Sequence, residues 1–192
     1  MRDFMFYLNL GWEHIVSLDA LDHQLFVLVL VAAFMPKDWK KILWLVTAFT
    51  IGHSVTLVLS VVDVVRIPGN WVEFLIPLTI LITAADNVLM RSRQRNLMTM
   101  NYYLALSFGL IHGMGFANTA RMTMSSEQDL LLPLLGFNVG LEVGQIAVVA
   151  AILVVQLLIN SLFRVNRKDW ILAVSSAVFA LSLKLALERI PF

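Results

Sequence analysis

The chain contains no cysteine and little charge. Without a thiol, disulfides, thiolate metal sites and iron–sulfur clusters are excluded. Any metal site must be built from His, Asp, Glu, Asn, Gln and backbone oxygens. Charged residues make up only 14% of the 192, against about 25% in a soluble domain, and the net charge is +1. No basic arm or aromatic-interleaved basic patch is present, so nothing points to nucleic acid. Low-complexity segments and internal repeats are missing as well. The first 20 residues lack a clean apolar stretch followed by a small-residue cleavage site, and the amino terminus is therefore expected to belong to the mature protein.

What is abundant is apolar: 59% hydrophobic residues and a mean hydropathy of +0.82. This composition predicts an all-α polytopic membrane protein, one integral-membrane helical domain over residues 1–192. Since about 20 mostly apolar residues cross the hydrocarbon core, six spans are expected, at 12–35, 42–64, 71–90, 102–120, 130–160 and 170–188. The first works only if the polar stretch from His14 to His23 enters the membrane; residues 3–10 are expected along the interface.

Lys37, Lys40 and Lys41, then Arg91, Arg93 and Arg95, then Arg164, Arg167 and Lys168 fall in alternate loops, whereas the opposite loops hold only Arg66 and Arg121. The positive-inside rule makes the basic loops cytoplasmic and puts both termini outside, with a bacterial plasma (inner) membrane as the expected location. Trp12, Trp39, Trp44, Trp71 and Trp170 sit near predicted span ends, as interfacial aromatics do.

Charged groups at mid-membrane cost roughly 2.5–3.5 kcal/mol each to insert, so they face a cavity or a partner. All four histidines fall inside predicted spans: His14 and His23 in the first, His53 in the second, His112 in the fourth. Counting back from Lys37, Lys41 and Asn101 puts the last three about 16–21 Å from the cytoplasmic ends, in one layer. Asp19, Asp22 and His23 share one helical face by spacing, as do Asn138, Glu142 and Gln145. Ser54 follows His53, and Asp86 lies toward the inner end of the third span as a pathway candidate. Asp63, Glu73 and Lys184, near span ends, read as solvated. Gly136, Gly140 and Gly144 form a packing ridge, and Gly113 and Gly115 are positioned to open the backbone beside His112.

One histidine alone is explained as a hydrogen-bonded structural residue; a converging set calls for more. Imidazole and carboxylate together suit nickel, cobalt or zinc and disfavour cuprous ion. His14, Asp19, Asp22, His23, His53, His112 and Glu142 are therefore the candidate site for a divalent metal ion, with Ser54, Asn138, Gln145 and Asp86 as supporting or pathway residues.

The stretches EHIVSLDALDHQLF, FTIGHSVTL, FGLIHGMGFA and FNVGLEVGQ, in this order, resemble the HupE/UreJ family of bacterial membrane proteins across about residues 8–185. The resemblance implies a secondary permease for nickel, and for cobalt, with His14, Asp22 and His23 handling the metal. In the family's first-helix signature, five residues separate the His from the Asp-His pair. Here seven separate His14 from Asp22, and on a continuous helix the extra two turn His14 by about 200°.

Two other readings use the same residues. A zinc-dependent intramembrane hydrolase acting on lipid or peptide needs three histidines, a carboxylate and an open position for water, with Ser54 or Glu142 assisting. A permease needs polar residues continuing inward, and Asp86, Asn87 and Ser107 are a thin trail. A structural subunit needs only the glycine ridges and leaves the histidines unexplained. The partners expected are the metal ion as substrate, membrane lipid and a second copy of the chain in a homo-oligomer.

Overall fold

A computed structural model describes the backbone of residues 2–90, 97–124 and 130–191, and the side chains of 4–89, 98–116 and 130–191. Among them are seven α-helices and no strand: α1 (Arg2–Val16), α2 (Leu21–Ala32), α3 (Trp39–Val61), α4 (Gly69–Met90), α5 (Leu97–Met124), α6 (Leu131–Phe163) and α7 (Arg167–Glu188). Arg91, Arg93, Arg95 and the Arg121 side chain lie outside the described residues, so the middle basic loop does not enter the structural account.

The first expected span is not one helix. α1 and α2 meet at a bend of 67° across residues 17–20, and only together are they long and apolar enough to cross a membrane. Residues 3–10 belong to α1 and run along α6. α3, α4, α6 and α7 each qualify as spans by length and composition, giving four, or five with the bent pair, against the six expected from the sequence. The remaining segment is α5. Asn101, Tyr102, Tyr103, Ser107, His112 and three glycines dilute its apolar character.

Two close helix pairs set the frame. Gly136, Gly140 and Gly144 of α6 meet Phe4, Leu8 and Trp12 of α1 in rising order, so the two helices run parallel. Gly11 returns the contact from α1, against the Phe137 carbonyl. α3 and α5 form the second parallel pair: Gly52 lies against Leu106 and Leu110, Gly109 against Phe49, and Gly113 against His53 and Thr56. Glycine permits this because each missing Cβ leaves room for a neighbouring backbone. α5 stays helical through Gly113 and Gly115, so these glycines do not open the backbone beside His112; Gly113 instead admits α3.

The core between the pairs is aromatic and aliphatic, with Phe26, Phe49, Phe108 and Phe137 all but inaccessible. Asp63 pairs with Arg66 and Lys184 with Glu188 on exposed surface, which agrees with the solvated reading of these span-end residues.

A Cβ at position 140 would fall 1.9 Å from the Leu8 carbonyl oxygen, and the backbone would have to yield. Gly140→Ala is expected to destabilise the protein by about 1–3 kcal/mol, as overpacking does. Gly69→Ala, where nothing lies within 4 Å, is expected to change stability by less than about 0.5 kcal/mol. Thermal unfolding of both variants in detergent micelles measures the contrast.

Candidate metal site

The break between α1 and α2 creates the site. A helix that stops leaves its last carbonyls without partners, and at membrane depth no bulk water is available to them. Gln24, one turn into α2, supplies the donor: its Nε2 lies 2.8 Å from the Ser17 carbonyl, 3.3 Å from Val16 and 3.4 Å from Ile15. This amide folds back over the end of α1 and fixes the link, and the link carries Ser17, Asp19 and Ala20 into the wall of a cavity.

That cavity has a volume of about 500 Å³. His14 from α1, Asp22 and His23 from α2, Glu73 from α4, His112 from α5 and Arg189 just beyond α7 supply its chemistry. Asp19 reaches it from the link rather than from a helical face, so the i,i+4 relation to His23 is not what brings the two together. The seven-residue spacing also acts differently from the helical estimate. The break absorbs the rotation, and the His14 and His23 rings lie 4.5 Å apart, edge to face.

The imidazoles form a continuous chain. His53 and His14 have ring centres 5.9 Å apart, and His23 and His112 have centres 3.9 Å apart. With metal–nitrogen bonds of about 2.0–2.1 Å, two rings sharing an ion have centres roughly 4.5–5.5 Å apart. The His14–His23 pair has this spacing, the His23–His112 pair is closer and the His14–His53 pair wider. Among the described residues, however, no three His, Asp or Glu side chains form a ready-made metal shell, so binding would require side-chain rotations. Phenylalanines wall the cluster: Phe137 stacks on His53 and Phe116, Phe116 packs on His14, Phe49 lies against His23 and His53, and Phe108 against His112.

Buried polar atoms are almost always paired, and each unpaired one costs about 1–3 kcal/mol. Here His14 Nε2, His23 Nε2, both nitrogens of His53, His112 Nδ1 and Asp22 Oδ1 are all buried without a hydrogen-bond partner. Such a density of lone pairs and N–H groups in one place fits a polar or cationic guest better than a packed core.

The remaining candidates lie elsewhere. Glu142 does not line the cavity; its Oε1 accepts a 2.9 Å hydrogen bond from Thr47. Gln145 accepts from Thr50, and Asn138 from Ser54, at 3.0 and 2.6 Å. These three pairs make a polar seam between α3 and α6. Ser54 Oγ also lies 2.7 Å from the Thr50 carbonyl, so its single proton serves one acceptor at a time, and the hydroxyl is engaged in that seam. Asp86, half-buried on α4, is not among the cavity residues either.

Sequence reasoning missed Arg189, Gln24 and Glu73. Glu73 was grouped with solvated span-end residues, and it is exposed, yet it lines the cavity. Arg189 Nη1 donates to Asp22 Oδ2 at 2.8 Å across 167 positions of sequence. No local pattern announces such a contact. The Asp-His dipeptide and the helical histidines were the only signals the sequence carried.

The fold and site thus define a helical membrane protein with a buried imidazole cluster at a broken first span. The chain belongs to the HupE / UreJ protein family, whose pattern it matches over residues 1–189. Membership associates it with nickel- and cobalt-transport-related function. No curated protein and no solved structure is detectably similar.

Replacing Gln24 with Leu would leave the Ile15 and Val16 carbonyls without the Gln24 donor, and the Ser17 carbonyl with the Ala20 N–H alone. Gln24→Leu is expected to cost about 1–3 kcal/mol of stability. Hydrogen exchange should show the loss concentrated in residues 13–24 and absent from α7.

Proposed function

We propose that this protein is a permease that takes a divalent transition metal, nickel or cobalt with zinc as a further candidate, from the outer face of the bacterial inner membrane to the cytoplasm. The observation that carries the reading is the buried cluster of His14, His23, His53 and His112 with its unpartnered nitrogens, set beside Asp22 at a helix break. His14, His23, His112 and Asp22 would hold the ion as substrate, and His53, behind His14, would receive it or tune it. Asp19 and Glu73, both exposed on the cavity wall, would raise the local cation concentration at the mouth.

Broken helices in transporters place half-helix carbonyl ends at cation sites, because the dipole there is negative. α1 ends at this cavity, with Ser17 in its wall. Beyond it, where α2 and α4 meet α7, buried polar groups continue: Thr83 and Asn87 on α4, Ser175 and Ser182 on α7. Asn87 bonds the Val29 carbonyl, while the hydroxyls of Ser175 and Ser182 are unpartnered. This trail is richer than the one visible in the sequence and supports passage inward over a site closed on that side. The hydrolase gains no support, since neither Ser54 nor Glu142 lines the cavity. Leu135, Val139, Val143 and Ile146 expose an apolar face of α6 suited to lipid or to a second copy in a homo-oligomer.

Cells producing the protein are expected to accumulate labelled nickel, cobalt or zinc above background, and His23→Ala is expected to abolish the gain at equal protein level. The absence of any gain for all three ions would overturn the reading. Asp22→Asn should bind metal about 10–100-fold more weakly, as when a ligand's supporting partner is lost. Equilibrium dialysis against purified protein measures it.

A further inference from the structure

Arg189 places a permanent positive charge in the cavity that the proposed function assigns to a dication. Arginine is charged at all relevant pH and its fork suits a carboxylate. Its Nη1 lies 2.8 Å from Asp22 Oδ2, while Asp22 Oδ1 is buried and unpartnered. The carboxylate beside His23 is therefore half-committed: one oxygen held, the other without a partner. A cation on His23 and Asp22 would stand next to the guanidinium, and like charges that close in a poorly hydrated space repel strongly.

Arg189 is free to answer that repulsion. It is the C-cap residue of α7, past the last helical turn, and its side chain is 32% exposed, which leaves room to move without repacking the core. It also has somewhere to go. The carbonyl end of α7 favours a positive charge, and the same cavity wall carries Asp19 and Glu73. Lys184 and Glu188, the other charged groups near that end, are paired with each other.

We propose that Arg189 is a resident counter-ion, a positioning and affinity-setting residue: it holds Asp22 while the cavity is empty of cargo and is displaced from Asp22 when the dication binds. The exchange keeps the Asp22 carboxylate compensated in both states, and the returning guanidinium competes the ion off Asp22. Metal affinity is thereby held below what the ligand set alone would give. The inference rests on the metal-binding reading of this cavity.

The test is a double-mutant cycle on the full-length protein in detergent micelles, with nickel chloride as the probe and calorimetry as the readout. R189Q and R189M are both neutral, and using two guards against a folding defect in either; thermal melting without metal reports that defect separately. Both are expected to bind nickel about tenfold more tightly than wild type. In a D22N background the same Arg189 change is expected to tighten binding clearly less, by about threefold or under, because only through-space repulsion is left once the guanidinium has no carboxylate to withhold. A purely structural tether predicts the opposite: lower metal-free stability and equal or weaker nickel binding in R189Q and R189M. That outcome, or an equally large tightening in the D22N background, overturns the proposal while leaving the metal site intact. If wild type and every variant bind none of nickel, cobalt and zinc in the same calorimetric titration, the functional reading fails and the Arg189 proposal falls with it.

Discussion

A helix interrupted at membrane depth exposes backbone that nothing in a hydrocarbon environment will satisfy, and the organisation of the first half of this protein follows from how that demand is met. Gln24 answers it for the end of α1 by turning its amide back onto three carbonyls. The same turn delivers Asp19 and Asp22 to the cavity and brings His14 against His23. A continuous helix over the same residues would have kept Asp19, Asp22 and His23 on one face and turned His14 to the opposite side of His23. The break converts an awkward polar segment into a concave one.

Convergence of the remaining histidines depends on a different physical device. His53 and His112 approach the others because α3 and α5 are pressed together at Gly52, Gly109 and Gly113, with backbone against backbone. The phenylalanines around the cluster then exclude water from one side of every imidazole. In such surroundings an ion bound as proposed would be held by few, strong contacts, and its selectivity would depend on how far the rings can rotate before the aromatic wall resists.

Much of this was legible in the sequence, and the failures are instructive. The all-helical membrane class followed from composition, and the histidines were found because polar residues inside apolar runs are conspicuous. The broken first span was not, since a hydropathy count treats residues 12–35 as one length of chain and cannot see a 67° bend. Glu142 was placed with the ligands because periodicity gives a helix its faces but not the rotation of that face toward a neighbour. α6 turns Asn138, Glu142 and Gln145 to the hydroxyls of α3. Arg189 was invisible for a simpler reason: its partner is 167 positions away.

The parallel pairing of α1 with α6 has a consequence for biogenesis. Leu8 finds its seat at Gly140, about 130 residues later in the chain. At ribosomal rates of about 5–20 residues per second, α1 emerges roughly 10 s before the groove that will hold it exists. Through that interval a weakly apolar helix bearing His14 has no docking surface and must wait at the translocon or the lipid headgroups. The bend can form locally through Gln24, but the cavity is complete only after α1 has docked on α6 and Arg189 has followed α7, so the site is assembled last even though its signature residues are translated first.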